Sequence, residues 1–288
     1  LLLVTPQAAN KTMGQGGFQE VEQMNLFKDM VCYQEEVRDP SRMAEVLNRV
    51  IEKAIRGSAP AQINVPRDYW TQVIDIELPP IVRLERQGGG ADAISKAADL
   101  LSKAKFPVIL SGAGVVIGGA IDETKKLAEK LDSPVCSGYQ HNDSFPGSHP
   151  LAVGPLGYNG SKAAMELISK ADVVLALGTR LNPFSTLPGY GIDYWPKNAN
   201  IIQVDINPDR IGLTKKVSVG ISGDAKLVAQ QIFDKLTSNA GDTDRQKRKD
   251  LIHQTKSAWL QKLSSLDHEE DDEGTVWNKE ARERDKDR

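Results

Sequence analysis

Cysteine is almost missing. The 288 residues hold two, Cys32 and Cys136, too few for a disulfide framework and in keeping with a reducing, cytoplasmic compartment. Neither has a nearby histidine or basic neighbour to mark a reactive thiolate, so both are expected to be buried. An excess of one charge is also lacking. Lys plus Arg number 36 and Asp plus Glu 39, a net charge of -3, which gives no argument for nucleic acid or an anionic membrane surface. No apolar run reaches the roughly 18–20 residues that a bilayer-spanning helix needs. Walker loops, Gly-x-Ser-x-Gly elbows and internal repeats do not occur. His141 and His149 share a Pro/Gly loop with no third ligand at metal spacing, which argues against zinc.

What is present is an alternation of helices and short apolar strands. Residues 39–56 read as a helix, with Asp39 as cap, Pro40 in the first turn and Gly57 just past the end. Met43, Val46, Leu47, Val50, Ile51, Ala54 and Ile55 form its apolar face. A strand, 61–65, follows and is stopped by Pro66. Two prolines open and three glycines close a linker at 79–90. Beyond it, helices are predicted at 91–104, 121–131, 161–169 and 225–237. Strands are predicted at 107–110, 134–136, 172–177, 201–205 and 217–221, with a long loop from 137 through Gly157. Continuous apolar strands between helices predict a parallel sheet buried on both faces.

The ends carry an expectation of their own. The chain opens on Leu1-Leu2-Leu3-Val4, which reads as the inside of a buried strand, with no initiator Met. It closes within the charged stretch Glu283–Arg288. Both ends read as cuts in a longer protein. From Gly241 onward 24 of 48 residues are charged, yet Leu251, Ile252, Thr255, Ala258, Trp259, Lys262 and Leu263 keep helical spacing. This predicts an amphipathic linker helix lying on another domain, followed by a solvated acidic run at 267–273.

Three stretches bear on chemistry. Gly112-Ala113-Gly114, with Gly118 and Gly119, lies between a strand and a helix, where phosphate can sit. The third glycine comes one residue late for the dinucleotide fingerprint, and the next strand ends Cys136-Ser137 rather than in a carboxylate, which argues against NAD. Arg180, in Gly178-Thr179-Arg180 at a strand's C-terminal end, either holds an anion through its planar fork or pairs with a carboxylate such as Asp205. The loop from Phe184 to Tyr194 either lines a pocket or covers a sheet edge. Gly14-Gln15-Gly16-Gly17-Phe18-Gln19-Glu20 is a glycine-rich loop expected to enter a helix at Val21. Phe18 offers an apolar wall, Gln19 a neutral two-way hydrogen bonder, and Glu20 a charge suited to the helix N-terminus.

Gly17-Phe18-Gln19-Glu20, then Lys28 and Ala59-Pro60-Ala61-Gln62-Ile63-Asn64-Val65-Pro66-Arg67-Asp68, resembles the end of the pyrimidine-binding domain of thiamine-diphosphate enzymes of the acetohydroxyacid synthase type. Ser111-Gly112-Ala113-Gly114, Leu177-Gly178-Thr179-Arg180 and Gln203-Val204-Asp205-Ile206-Asn207 resemble their central domain. The implied fold is α/β: a Rossmann-like parallel-sheet central domain at 91–239, preceded at 1–78 by the last part of an α/β pyrimidine-binding domain. Residues 240–288 would then lead towards a diphosphate-binding domain. Within the family, Gln15–Met24 and Ile192-Asp193-Tyr194-Trp195-Pro196 are most similar to the members that act on sulfoacetaldehyde. The resemblance implies an acyltransferase of organosulfonate metabolism that turns sulfoacetaldehyde and phosphate into acetyl phosphate and sulfite, working as a homodimer or homotetramer. It implies thiamine diphosphate and Mg²⁺ as cofactors, with Phe18 and Gln19 facing cofactor or substrate. The family's activating glutamate and its Gly-Asp-Gly…Asn motif are not in this sequence, so the chain by itself is expected to be inactive. Leu181-Asn182-Pro183-Phe184 stands where flavin-binding members read Phe-Asp-Asp-Arg, which argues against FAD. An acetolactate-forming or decarboxylating relative, and a stand-alone nucleotide-binding module, are the alternatives.

Overall fold

A computed structural model describes residues 1–80, 85–237 and 242–272, with side chains from 245 to 265 in the last stretch. The acidic run 267–273 and the charged end 283–288 lie outside the described side chains. The chain divides into two compact units, Leu1–Leu84 and Glu85–Arg288.

The first unit holds β1 (Leu2–Gln7), α1 (Gln23–Phe27), β2 (Tyr33–Glu36), α2 (Met43–Gly57) and β3 (Ala61–Pro66). Its three strands are parallel in the order β1-β3-β2. Alternation along β3 sends Ile63 and Val65 to one face, where Val46 and Val50 of α2 join them in a small core. Gln62 and Asn64 point to the other face. The apolar face of α2 is narrower than predicted, since Ile55 is 70% exposed. Asp39 caps a 3-10 turn at Pro40–Arg42 by accepting from the Ser41 amide at 2.9 Å, and the α-helix starts only at Met43. It also runs one residue further than predicted. Ser58, not Gly57, takes the left-handed position, while a β-carbon on Gly57 would meet the Cys32 Sγ at 3.2 Å. The opening leucines do form a strand, but not a buried one: among the described residues β1 pairs only with β3, and Leu1 is 87% exposed. Cys32 is likewise exposed, contrary to expectation, whereas Cys136 is buried.

The second unit contains α3 (Ala91–Lys103), β4 (Pro107–Ser111), α4 (Ala113–Gly118), α5 (Ile121–Leu131), β5 (Val135–Ser137), β6 (Ala152–Pro155) and α6 (Lys162–Ile168). It continues with β7 (Val173–Leu177), β8 (Asn200–Asp205), β9 (Val219–Ser222), α7 (Ala225–Lys235) and α8 (Asp242–Asp272). Its six strands are all parallel, in the order β6-β5-β4-β7-β8-β9. Numbered within the sheet this is 3-2-1-4-5-6, the doubly wound order whose direction of winding reverses between β4 and β7. Every residue of β4 and β7 is buried, as the unbroken apolar strands predict. Ile94, Ala97, Ala98 and Leu101 supply the buried face of α3.

Three features differ from the sequence reading. Residues Ala113–Gly118, where no helix is predicted, form α4. The long loop before Gly157 contains strand β6, whose pairing with β5 shifts register between Val135 and Cys136. A four-residue edge strand with Gly154 at φ +94 and a closing proline carries little strand signal. The last helix, read above as lying on another domain, packs within its own unit. Ile252 joins the core, and Arg248, 4% exposed, donates to the carbonyls of Lys105, Leu131 and Asp132 at 2.7–2.9 Å. These are the orphan acceptors at the end of α5 and the entry to β4, and a guanidinium fork satisfies them together. Arg245 and Lys249 pair with the carboxylate of Asp132 alongside.

Candidate functional site

In the first unit the site is the loop after β1. Gly14 and Gly16 take φ +85 and +71, which glycine adopts without strain. Glu20 does not serve the helix N-terminus as expected. Its carboxylate folds back over the loop and accepts the amides of Gly14 and of Gly17, the latter at 3.0 Å. Those two backbone donors, Gly14 foremost, hold its carboxyl below the usual glutamate range. The clamp leaves Phe18 90% exposed and Gln19 in the left-handed region at φ +62. The helix begins at Gln23, two residues later than predicted, and spans five residues. The side-chain amide of Gln23 donates back to the Pro6 carbonyl of β1, and that of Gln34 on β2 to the Met24 carbonyl at 2.7 Å. Phe18 and Gln19 are thus neighbours on a loop held from three sides, an exposed ring beside an exposed amide.

In the second unit the site is the carboxyl edge of the sheet at the β4/β7 reversal. Gly112, Gly114 and Gly178 are there because the two strand-end loops touch backbone to backbone. The Gly114 amide donates to the Gly178 carbonyl at 2.8 Å. Next to this contact Arg180 is exposed, and no described residue bonds or pairs with its side chain. Asp205, the carboxylate considered as its partner, instead accepts the Asn207 amide at 2.9 Å and is nearly buried. Buried Gln203 fixes the segment: it donates to the carbonyls of Thr179 and Arg210 and accepts from the Gly212 amide at 2.9 Å. Its role was not read from the sequence, where it counted only as part of a motif. The loop from Phe184 to Tyr194 packs on the turn that follows β6 and on α6. Phe184 sits edge-on to Tyr139 at 5.2 Å, and the Tyr190 hydroxyl donates to the Gly160 carbonyl at 3.1 Å.

The remaining candidates separate. His149 lies 3.2 Å from Glu129 through Nε2 and accepts the Leu151 amide through Nδ1. No group of three or more His, Cys, Asp or Glu able to hold a metal occurs among the described residues. Burial pushes the Cys136 thiol well above its ordinary range, which suits a core side chain.

The comparisons with known proteins bear on the fold and the family. The thiamine pyrophosphate enzyme central-domain family matches residues 94–232. The chain is 77% identical over all its 288 residues to a probable sulfoacetaldehyde acetyltransferase of Rhizobium meliloti, of which it covers 49%. It is 77% identical over 98% of its length to the sulfoacetaldehyde acetyltransferase of Roseovarius nubinhibens, covering 47% of that protein. A probable acetolactate synthase large subunit of Methanocaldococcus jannaschii is 32% identical over 92% of the chain and is covered to 44%. The chain therefore spans about half the length of the curated relatives it matches. In fold it is similar to benzoylformate decarboxylase from Polynucleobacter necessarius, with a TM-score of 0.73, 21% identity, 85% of this chain and 46% of that one. The chain carries a thiamine pyrophosphate enzyme central domain over residues 94–232.

Proposed function

We propose that the whole protein bearing this chain is a thiamine-diphosphate-dependent acetyltransferase that converts sulfoacetaldehyde and phosphate into acetyl phosphate and sulfite. The observation that carries this reading is 77% identity, sustained over the full chain, to a probable enzyme of that name. The conversion balances without an outside oxidant. The carbon–sulfur bond breaks and its carbon becomes a methyl group, taking up in formal terms the aldehyde hydrogen. The aldehyde carbon rises to the acyl level and bonds a phosphate oxygen. The proton of hydrogen phosphate leaves with sulfite.

Thiamine diphosphate, when bound, supplies the stabilised carbanion such chemistry requires. The Phe18–Gln19 pair fits it: an outward ring can lie against a flat heteroaromatic ring, and an amide can both donate to and accept from its edge. We assign these two residues to cofactor or substrate contact and Arg180 to an anion, sulfonate or phosphate. No Mg²⁺ ligand is assigned among the described residues. Residues 1–78 are read as the last part of a pyrimidine-binding domain and 240–288 as a linker. A cytoplasmic homodimer or homotetramer is the expected working form.

The test of substrate is a competition. Given sulfoacetaldehyde and pyruvate together, the whole protein should release sulfite and form no acetolactate. Acetolactate or CO₂ from pyruvate, with no sulfite, would move the assignment to the acetolactate-forming branch.

A further inference from the structure

The face of the first sheet turned away from α2 is polar and closed. Alternate residues on its three strands present Thr5, Gln62, Asn64, Gln34 and Glu36 to one side, in register: Gln34 lies opposite Gln62, and Thr5 and Glu36 flank Asn64. Their hydrogen bonds run in one direction. The Asn64 amide donates to the Glu36 carboxylate at 3.1 Å, and the Thr5 hydroxyl donates to the Asn64 Oδ1 at 2.9 Å. The Gln62 amide donates to the Thr5 Oγ1 at 2.9 Å, and the Gln34 amide to the Gln62 Oε1 at 2.7 Å. Gln62 and Asn64 are fully buried on the central strand. Buried amides of this kind are costly unless every partner is present, and here each fixes the rotamer of the next.

The ladder does not end inside the sheet. The same Gln34 Nε2 donates its second hydrogen to the Met24 carbonyl at 2.7 Å, four residues after Glu20. Helix α1, with five residues and no buried side chain, is too short to hold itself in place by packing or by its own ladder. Its tethers to the sheet are the bonds from Gln34 and Gln23.

We infer that Gln34 is a positioning residue: held by the Gln62–Thr5–Asn64–Glu36 ladder, it fixes α1 through the Met24 carbonyl and so sets where Phe18 and Gln19 stand. The inference rests on the assignment of those two residues to the reacting site, but the anchoring can be tested apart from it. Gln34→Met keeps the side chain's length and removes its donors. Hydrogen exchange of the full chain should then quicken at least about fivefold in segment 14–26 and stay unchanged in β3 and α2. If Gln34→Met fails to fold, Gln34→Glu, which keeps the size and loses the donors, takes its place. Glu36→Gln, which still accepts from Asn64, should leave segment 14–26 as it was. In the whole protein, Gln34→Met should lower kcat about tenfold with little change in KM for phosphate. Exchange unchanged in 14–26, or raised equally in β3 and α2, would overturn the anchoring. A loosened segment with unaltered kcat would overturn the catalytic part alone, and with it the role given to Phe18 and Gln19.

Discussion

Gly114 and Gly178 meet so closely that neither has room for a side chain. A β-carbon built on Gly178 would lie 2.7 Å from the Gly114 Cα, and one built on Gly114 would lie 2.7 Å from the Gly178 Cα. Gly178 also sits at φ +62. Gly114→Ala must push two backbones apart, and Gly178→Ala adds a left-handed alanine to the same clash. Each should lower stability by about 3 kcal/mol, from overpacking and, for Gly178, backbone strain. Thermal unfolding checks this, with Gly147→Ala as a control, since a β-carbon there meets nothing. Equal midpoints for all three variants would show that the loop contact is not as described.

The Glu20 clamp has a pH signature. Its folded carboxyl titrates below its ordinary value because the Gly14 and Gly17 amides hold the charged form. Its contribution is therefore complete above the unfolded pKa of about 4.3 and is lost as pH falls through the lower folded value. Amide shifts of Gly14 and Gly17, followed by NMR, should titrate together with a midpoint below that of a free glutamate. A midpoint at or above that of a free glutamate would contradict the clamp.

Most of the second unit was legible in the residues. Its strands are continuous apolar runs between helices, and such strands form only where both faces are covered. The order of its strands needed the structure, as did β6, which is four residues long and interrupted by Gly154. The site was legible only in part. Phe18 and Gln19 stood out through the glycines before them and the family motif. Gln34, Gln62 and Asn64 did not, because a buried polar residue in a strand looks like a solvated one until its partners on neighbouring strands are known. Glu20 was visible, but its partners lie three and six residues back in the loop, and proximity to a helix start was the stronger local cue. Arg180 came through with both alternatives open, and among the described residues Asp205 is engaged by the Asn207 amide rather than by Arg180.

Arg248 explains why a helix rich in charge stays on its unit. Replacing it with Met keeps much of the stem packing but leaves three carbonyls, two of them buried, without their charged donor. The cost should be about 3 kcal/mol, at one or more per lost charge-assisted bond. Limited proteolysis should then cut within residues 245–265 well before the sheet unfolds. Lys249→Met breaks one more exposed ion pair to Asp132 and should cost less than about 1 kcal/mol. Equal losses for the two would mean that Arg248 does not carry the attachment.

Cofactor dependence tests the account most directly. The whole protein should be stripped of cofactor and given sulfoacetaldehyde and phosphate, with and without added thiamine diphosphate. With the cofactor, sulfite and acetyl phosphate should appear in equal amounts. Without it, neither should form. Product formation that ignores thiamine diphosphate, or its absence when the cofactor is supplied, would contradict the account.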